Sequence, residues 1–293
     1  KKSLARWIPV FSLILGFLPW LQIKFAATAL LLGMALSWKI ISTIGSQRMV
    51  AQLLSPLAIS LALLGLYNNY AFGKATGPYA PGMLEFSKTS LMVFLGLFLD
   101  QNHGILFQNP LEFFAIPVVG YLLRKRFIFM LIWSGVFFSL LLPNALHIGW
   151  YGGGSFSGRF EWSAAMLWFI PLMYAITTIW ECNKRWAYGA VLVGVTLQIY
   201  FAYIHTIRGE SLYNRGVSAL PDKYSIFYGA IEHWLPIFSN PDSYLFYGPN
   251  YIWMGVVFSL LAIGLLSLGR LPHQWDHCTG ERLTDEVGTK SKA

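Results

Sequence analysis

The chain has 293 residues, 56% hydrophobic and 12% charged, against roughly 25% charged in a soluble domain. That composition excludes an ordinary soluble domain and indicates an all-α, polytopic transmembrane helical bundle. The formal net charge of +8 does not point to nucleic acid, because the basic residues stand in short clusters between apolar runs. Such clusters are membrane orientation signals and contacts for anionic lipid head groups. The two cysteines, Cys182 and Cys278, have no CxxC partner, which argues against a structural disulfide or a zinc site. No motif calls for a cofactor.

A membrane span needs about 20 mostly apolar residues. The first run, 7–23, lacks a small-residue cleavage site and reads as a span rather than a signal peptide. The chain begins Lys1-Lys2 rather than with Met, so it is expected to be processed or to be a piece of a longer protein. The run 26–41 is short and is expected either to cross with little tilt or to dip only part way; 49–67 is a clear span. A Gly/Pro-rich stretch, 68–87, precedes 89–99, which is half a membrane thick and reads as a re-entrant or interfacial piece. The run 111–123 returns into the membrane and stops at Arg124-Lys125-Arg126, and 127–145 crosses again. After a polar gap at 147–162 come spans at 164–180, 188–207 and 251–268. Between the last two, SIFYGAIEHWLPIF (225–238) has helical spacing and predicts an amphipathic surface helix. This makes about eight membrane segments in one domain, 1–270, with outer loops at 68–110, 147–162 and 208–250 and a flexible cytoplasmic tail at 271–293.

Orientation follows from Lys and Arg in short loops. Lys1, Lys2 and Arg6, then Lys39 and Arg48, Arg124–Arg126, Lys184 and Arg185, and Arg270 all fall on one side if the crossings alternate. With that side cytoplasmic, both termini are inside and the three long polar loops are outside.

One stretch stands out, FLDQNHGILFQNPLE at 98–112. It sets Asp100, Gln101, Asn102, His103, Gln108, Asn109 and Glu112 inside an almost wholly apolar sequence. Such a cluster is costly at membrane depth unless it faces water, a ligand or a partner. Asp100 and His103, three residues apart, offer a general base and an acid–base imidazole; equally, they cap a helix end. Glu112 follows Asn109-Pro110 and suits the first turn of the next helix. The second constellation is HIGWYGGGSFSGRFEW at 147–162. Its glycines, Gly153 and Gly154 among them, let backbone N–H groups approach an anion. Arg159 adds a bidentate phosphate donor and Glu161 a partner for it; alternatively, this is an external hairpin whose arginine snorkels to head groups. The P-loop spacing is absent. Arg208, Glu210, Arg215 and Lys223 either bind pyrophosphate or are simply solvated. His273, His277 and Cys278 are too loose a set to count as a metal site.

Three stretches in order, LLSPLAISLALLGLYNNYAFG, FLDQNHGILFQNPLEFFAIP and WYGGGSFSGRF, resemble the GT-C-type membrane glycosyltransferases, relatives of the protein O-mannosyltransferases and the lipid-A aminoarabinose transferases. The resemblance covers about 15–180. It implies transfer of a sugar from a polyprenyl-phosphate carrier on the outer face of a bacterial plasma membrane, with membrane lipids and the polyprenyl-phosphate-linked sugar as partners. Asp100 or His103 would be the base, Gln101 would line the pocket with Glu161, and Gly153, Gly154 and Arg159 would stabilise the leaving phosphate. GT-C enzymes carry an acid in the first outer loop, whereas PWLQIKF here has none. The resemblance therefore implies a C-terminal part of such an enzyme, its catalytic loop upstream, or an inactive relative. The alternative from another class is a non-catalytic membrane component, either a lipid or polysaccharide transporter or a scaffold subunit. The sugar, the acceptor and the oligomeric state stay open.

Overall fold

The computed structural model describes residues 2–75, 77–78, 88–146, 162–207, 228–238 and 247–267. Among them there is no strand. The α-helices are α1 (Lys2–Leu21), α2 (Phe25–Ile44), α3 (Gln47–Phe72), α4 (Lys88–Leu99), α5 (Ile105–Gln108), α6 (Ala115–Lys125), α7 (Phe127–Ala145), α8 (Trp162–Cys182), α9 (Lys184–Ile207) and α10 (Gly248–Leu266). Two 3-10 turns, Pro110–Phe114 and Gly229–Trp234, complete the described helical structure. Six of the helices, α2, α3, α7, α8, α9 and α10, are long and apolar enough to cross a membrane. The protein is an all-α polytopic bundle.

The short span expected at 26–41 is a full helix, Phe25–Ile44, of 20 residues. The hydroxyls of Ser42 and Thr43 do not end it. Gly45 does, in the left-handed region at φ 76°, with its N–H on the carbonyls of Ile40 and Ile41. A residue with a Cβ is strained there, so glycine is the natural stop. Ser46 then starts α3 by accepting from the Met49 N–H.

Helices α1 and α3 cross closely through small and hydroxyl residues. Pro56 lies inside α3 and has no N–H, so the Gln52 carbonyl loses its helical donor. The Ser12 hydroxyl of α1 donates to that carbonyl at 3.1 Å. Ser60 donates to the Gly16 carbonyl, and Trp20 Nε1 donates to Ser60 Oγ at 2.7 Å. A Cβ on Gly16 would lie 3.3 Å from the Pro56 oxygen. This is how membrane helices associate where water supplies no hydrophobic drive.

The main core lies in α4–α8 and the 235–238 segment, with α10 packed against it. Trp133 stacks on Phe137 at 5.2 Å, and Phe98 meets Trp168 edge-on at 5.1 Å. Helices α6 and α10 touch backbone to backbone. A Cβ on Gly264 would fall 1.8 Å from the Pro117 oxygen, and one on Gly120 2.3 Å from the Leu261 oxygen.

Two further expectations change. The run 111–123 is not one span but the 3-10 turn Pro110–Phe114 followed by α6, 11 residues long. At ~1.5 Å per residue neither α6 nor the 12-residue α4 covers a hydrocarbon core of ~30 Å. Helix α4, the half-length piece expected near 89–99, is packed into the core through Val93 and Leu97 rather than lying on the surface. The amphipathic helix expected at 225–238 is, over its described part, a 3-10 turn followed by extended chain. Leu235 is extended (φ −106°, ψ 153°) because the ring of Pro236 disfavours the α region for the residue before it. Residues 235–238 then tuck into the bundle, with Leu235 and Phe238 buried.

Candidate functional site

The site is the break between α4 and α6. The turn that ends α4 closes with the Gly104 N–H on the Asp100 carbonyl at 2.7 Å. It is so tight that a Cβ on Gly104 would sit 2.5 Å from the Asp100 nitrogen. Only glycine fits.

Asp100 is fully buried, and its carboxylate binds backbone on both oxygens. Oδ1 accepts from the N–H groups of Asn102 at 2.8 Å and His103 at 3.0 Å. Oδ2 accepts from the Phe238 N–H at 2.7 Å. The first pair shapes the turn, and the third bond ties the turn to a segment 138 residues away. Charge-assisted bonds of this kind are about twice as strong as neutral ones.

The tied segment is held from the other side as well. Gln101 N–H donates to the Pro236 carbonyl at 3.0 Å. Asn250, in the first turn of α10, brackets Ile237, accepting from its N–H at 2.7 Å and donating to its carbonyl at 2.8 Å. Phe238 packs over Gly96, where an added Cβ would come within 2.8 Å of the Phe238 Cβ. Residues 236–238 are thus clamped between the α4 turn and α10.

Backbone buried outside a regular helix must find partners. Four carbonyls of the break find side-chain donors. The Asn102 oxygen takes Gln108 Nε2 at 2.9 Å, and the Gln108 oxygen takes Gln198 Nε2 of α9 at 2.8 Å. The Phe107 oxygen takes the Tyr228 hydroxyl, and the Glu112 oxygen takes Trp168 Nε1 of α8 at 3.1 Å. The break is a built feature with a dedicated donor at each of these points.

Some acceptor capacity is left over. Asn109 Nδ2 donates to Glu112 Oε1 at 3.0 Å. Glu112 Oε2, Asn109 Oδ1 and Gln101 Oε1 are buried with no hydrogen-bond partner among the described residues. Leaving such atoms unmet is costly, so hydroxyl or amine donors would be favoured beside them. Among the described residues no group of three His, Cys, Asp or Glu side chains could hold a metal.

Of the residues expected to form a site, Asp100, Gln101 and His103 share this turn, and all three are buried. Gly153, Gly154, Arg159 and Glu161 lie outside the described residues, as do Arg208, Glu210, Arg215, Lys223, His273, His277 and Cys278. Sequence reasoning missed Asn250, Gln198, Trp168 and the 236–238 strap. Gln198 carried a signal, being a lone amide inside an apolar run. A comparison with protein-family models, with characterised proteins and with solved structures finds no match.

Proposed function

We propose that the protein acts in lipid-linked sugar transfer at the non-cytoplasmic face of a bacterial plasma membrane, taking the sugar from a polyprenyl-phosphate carrier. On this reading residues 88–125 are one interrupted passage whose polar break receives the sugar. The observation that carries this function is the set of buried acceptors at the break, Gln101 Oε1, Asn109 Oδ1 and Glu112 Oε2. Sugar hydroxyls are donors of the kind these atoms lack. Asp100 is the positioning residue that holds the turn, and His103 is the remaining acid–base candidate beside it. Gly153, Gly154, Arg159 and Glu161 are assigned to the same site on sequence grounds, the arginine to neutralise charge on the leaving phosphate.

The test is transfer from polyprenyl-phosphate sugars by the full-length protein in membranes. Arg159→Ala is expected to lower turnover by about 10²–10³, as removal of one oxyanion donor does, without changing thermal stability. Asp100→Asn is expected to lower both. Parent-rate transfer by both variants sinks the proposal.

A second function, a non-catalytic transporter or scaffold, is favoured by one observation. Both Asp100 oxygens are occupied by backbone N–H groups, which explains the residue without chemistry. On that reading the parent protein transfers no sugar, yet its deletion still removes an envelope polysaccharide.

A further inference from the structure

A cavity of about 630 Å³ opens on the flank of the bundle between α8, α9 and the Pro110–Phe114 turn. Leu111, Phe114 and Ile179 form one side, and Trp186, Gly189 and Leu197 of α9 the other. The 3-10 turn draws the chain against α9 at one point, where Gly194 admits Leu111 so closely that a Cβ would fall 2.1 Å from it. One to two turns earlier along α9, Gly189 has no atom of the described residues within 4 Å of where its Cβ would be. A slot is left there.

Three observations define its occupant. The lining is apolar, and Trp186 and Val193 beside it are 73% and 59% exposed, on a helix long and apolar enough to cross a membrane. From 186 to 197 at ~1.5 Å per residue the slot runs ~16 Å, about half of a ~30 Å hydrocarbon core and so one leaflet deep. A whole spanning helix, ~30 Å long and ~10 Å across, needs several times this volume, whereas the cavity lies within the ~300–1,000 Å³ usual for ligand sites.

The third observation is charge at the mouth. Lys184 and Arg185 open α9, both exposed, with exposed Glu181 as the acid of the same turn. Arg185, Gly189 and Val193 follow at i, i+4 and i+8, one face of the helix. Side chains lean toward a helix's N-terminus, which carries the Arg185 guanidinium out of the slot toward the head-group level. The Lys184 ammonium sits 5.8 Å from the Trp180 ring centre.

We propose that this slot holds one acyl chain of an anionic phospholipid in the leaflet next to the α8–α9 turn, with its phosphate at Arg185 and Lys184. The slot shares the Pro110–Phe114 turn with the polar break but opens on its apolar side, toward α9, and does not depend on sugar transfer. It makes the flank a lipid-recognition surface instead of passive bilayer contact.

Native mass spectrometry of the full-length protein tests it, with phosphatidylglycerol and phosphatidylcholine of identical chains as probes. The parent protein is expected to retain one phosphatidylglycerol in preference to phosphatidylcholine. Arg185→Gln is expected to cut that preference about five-fold, the equivalent of ~1 kcal/mol per basic side chain near a lipid surface. Gly189→Leu puts a side chain into the slot from a position whose Cβ would meet no atom of the described residues within 4 Å and is expected to abolish retention of both lipids. Val193→Trp is the second filling variant, should the first not fold. Gly65→Leu is the control for added bulk, since Gly65 of α3 also has nothing within 4 Å of a Cβ; it is expected to retain lipid like the parent. Equal retention of the two lipids by the parent, unchanged retention in the slot-filling variants, or a dimer that those variants dissociate would each overturn the proposal.

Discussion

Asp100 shows how one side chain can hold two distant parts of a membrane bundle. Its carboxylate serves three backbone N–H groups, and one of them, on Phe238, belongs to a strap far along the chain. Asp100→Asn keeps the shape but removes the charge and turns one acceptor into a donor, leaving an N–H facing an NH₂. Each buried donor left unmet costs ~1–3 kcal/mol. Asp100→Ala leaves three such donors. Thermal unfolding in detergent, with no substrate present, is therefore expected to rank the parent above Asn and Asn above Ala. Parent-like melting of both would remove the clamp from the account. The prominence of Asp100 was legible in the sequence, because a carboxylate in an apolar run must have a reason to be there. Its partner was not legible, since a backbone N–H on Phe238 has no residue signature. The same holds for Asn250, whose side-chain amide grips the backbone of the strap at Ile237.

At the scale of elements, glycine spacing decides which helices touch. Gly264 and Gly120 let α10 and α6 meet so closely that a Cβ at Gly264 would overlap the Pro117 oxygen. Neither backbone can yield as a flexible side chain would. Gly264→Ala is expected to force the helices apart and destabilise by ~1–3 kcal/mol, the usual cost of overpacking. Gly255→Ala in the same helix meets no atom of the described residues within 4 Å and is expected to be neutral or slightly stabilising, since alanine is the better helix former. The difference between the two melting temperatures is the measurement. Five of the six apolar helices of spanning length were legible because length and composition suffice to show them, while α2 read as a short run over 26–41. The interruption at 110–114 was hidden. Its residues, PLEFF, include Pro110 and Glu112, which read equally well as the first turn of an α-helix. The extended strap was hidden for a related reason: periodicity over 225–238 signalled a helix, and the conformational bias imposed by Pro236 outweighed it.

At the scale of the whole molecule, the described residues form two main cores. Helices α1–α3 bury their own cluster around Ile8, Leu15, Ala29, Leu53 and Leu57, while the polar break sits in the larger one. The link between them is chiefly α2 on α7, where Thr28 and Ser139 share a hydrogen bond at 2.8 Å and Leu32 packs against both clusters. None of this division was legible in sequence. The spans are hydrophobic all round, with Leu13 and Leu66 facing outward as freely as Leu15 and Leu53 face inward. In a bilayer the lipid side and the core side are equally apolar, so periodicity carries no sign of which helix meets which. Hydrogen bonds between membrane helices average only ~0.6 kcal/mol, so the Thr28–Ser139 contact is too weak to make the two cores melt together. Loosening one core should therefore leave the other standing. Asp100→Asn is expected to raise amide exchange across α4–α6 and the 235–238 strap while α1–α3 keep parental protection, as expected of separate cooperative units. Hydrogen-exchange mass spectrometry of the full-length protein in detergent reads both regions at once. Equal loss of protection in α1–α3 would mean that the α2–α7 seam binds the chain into a single cooperative unit.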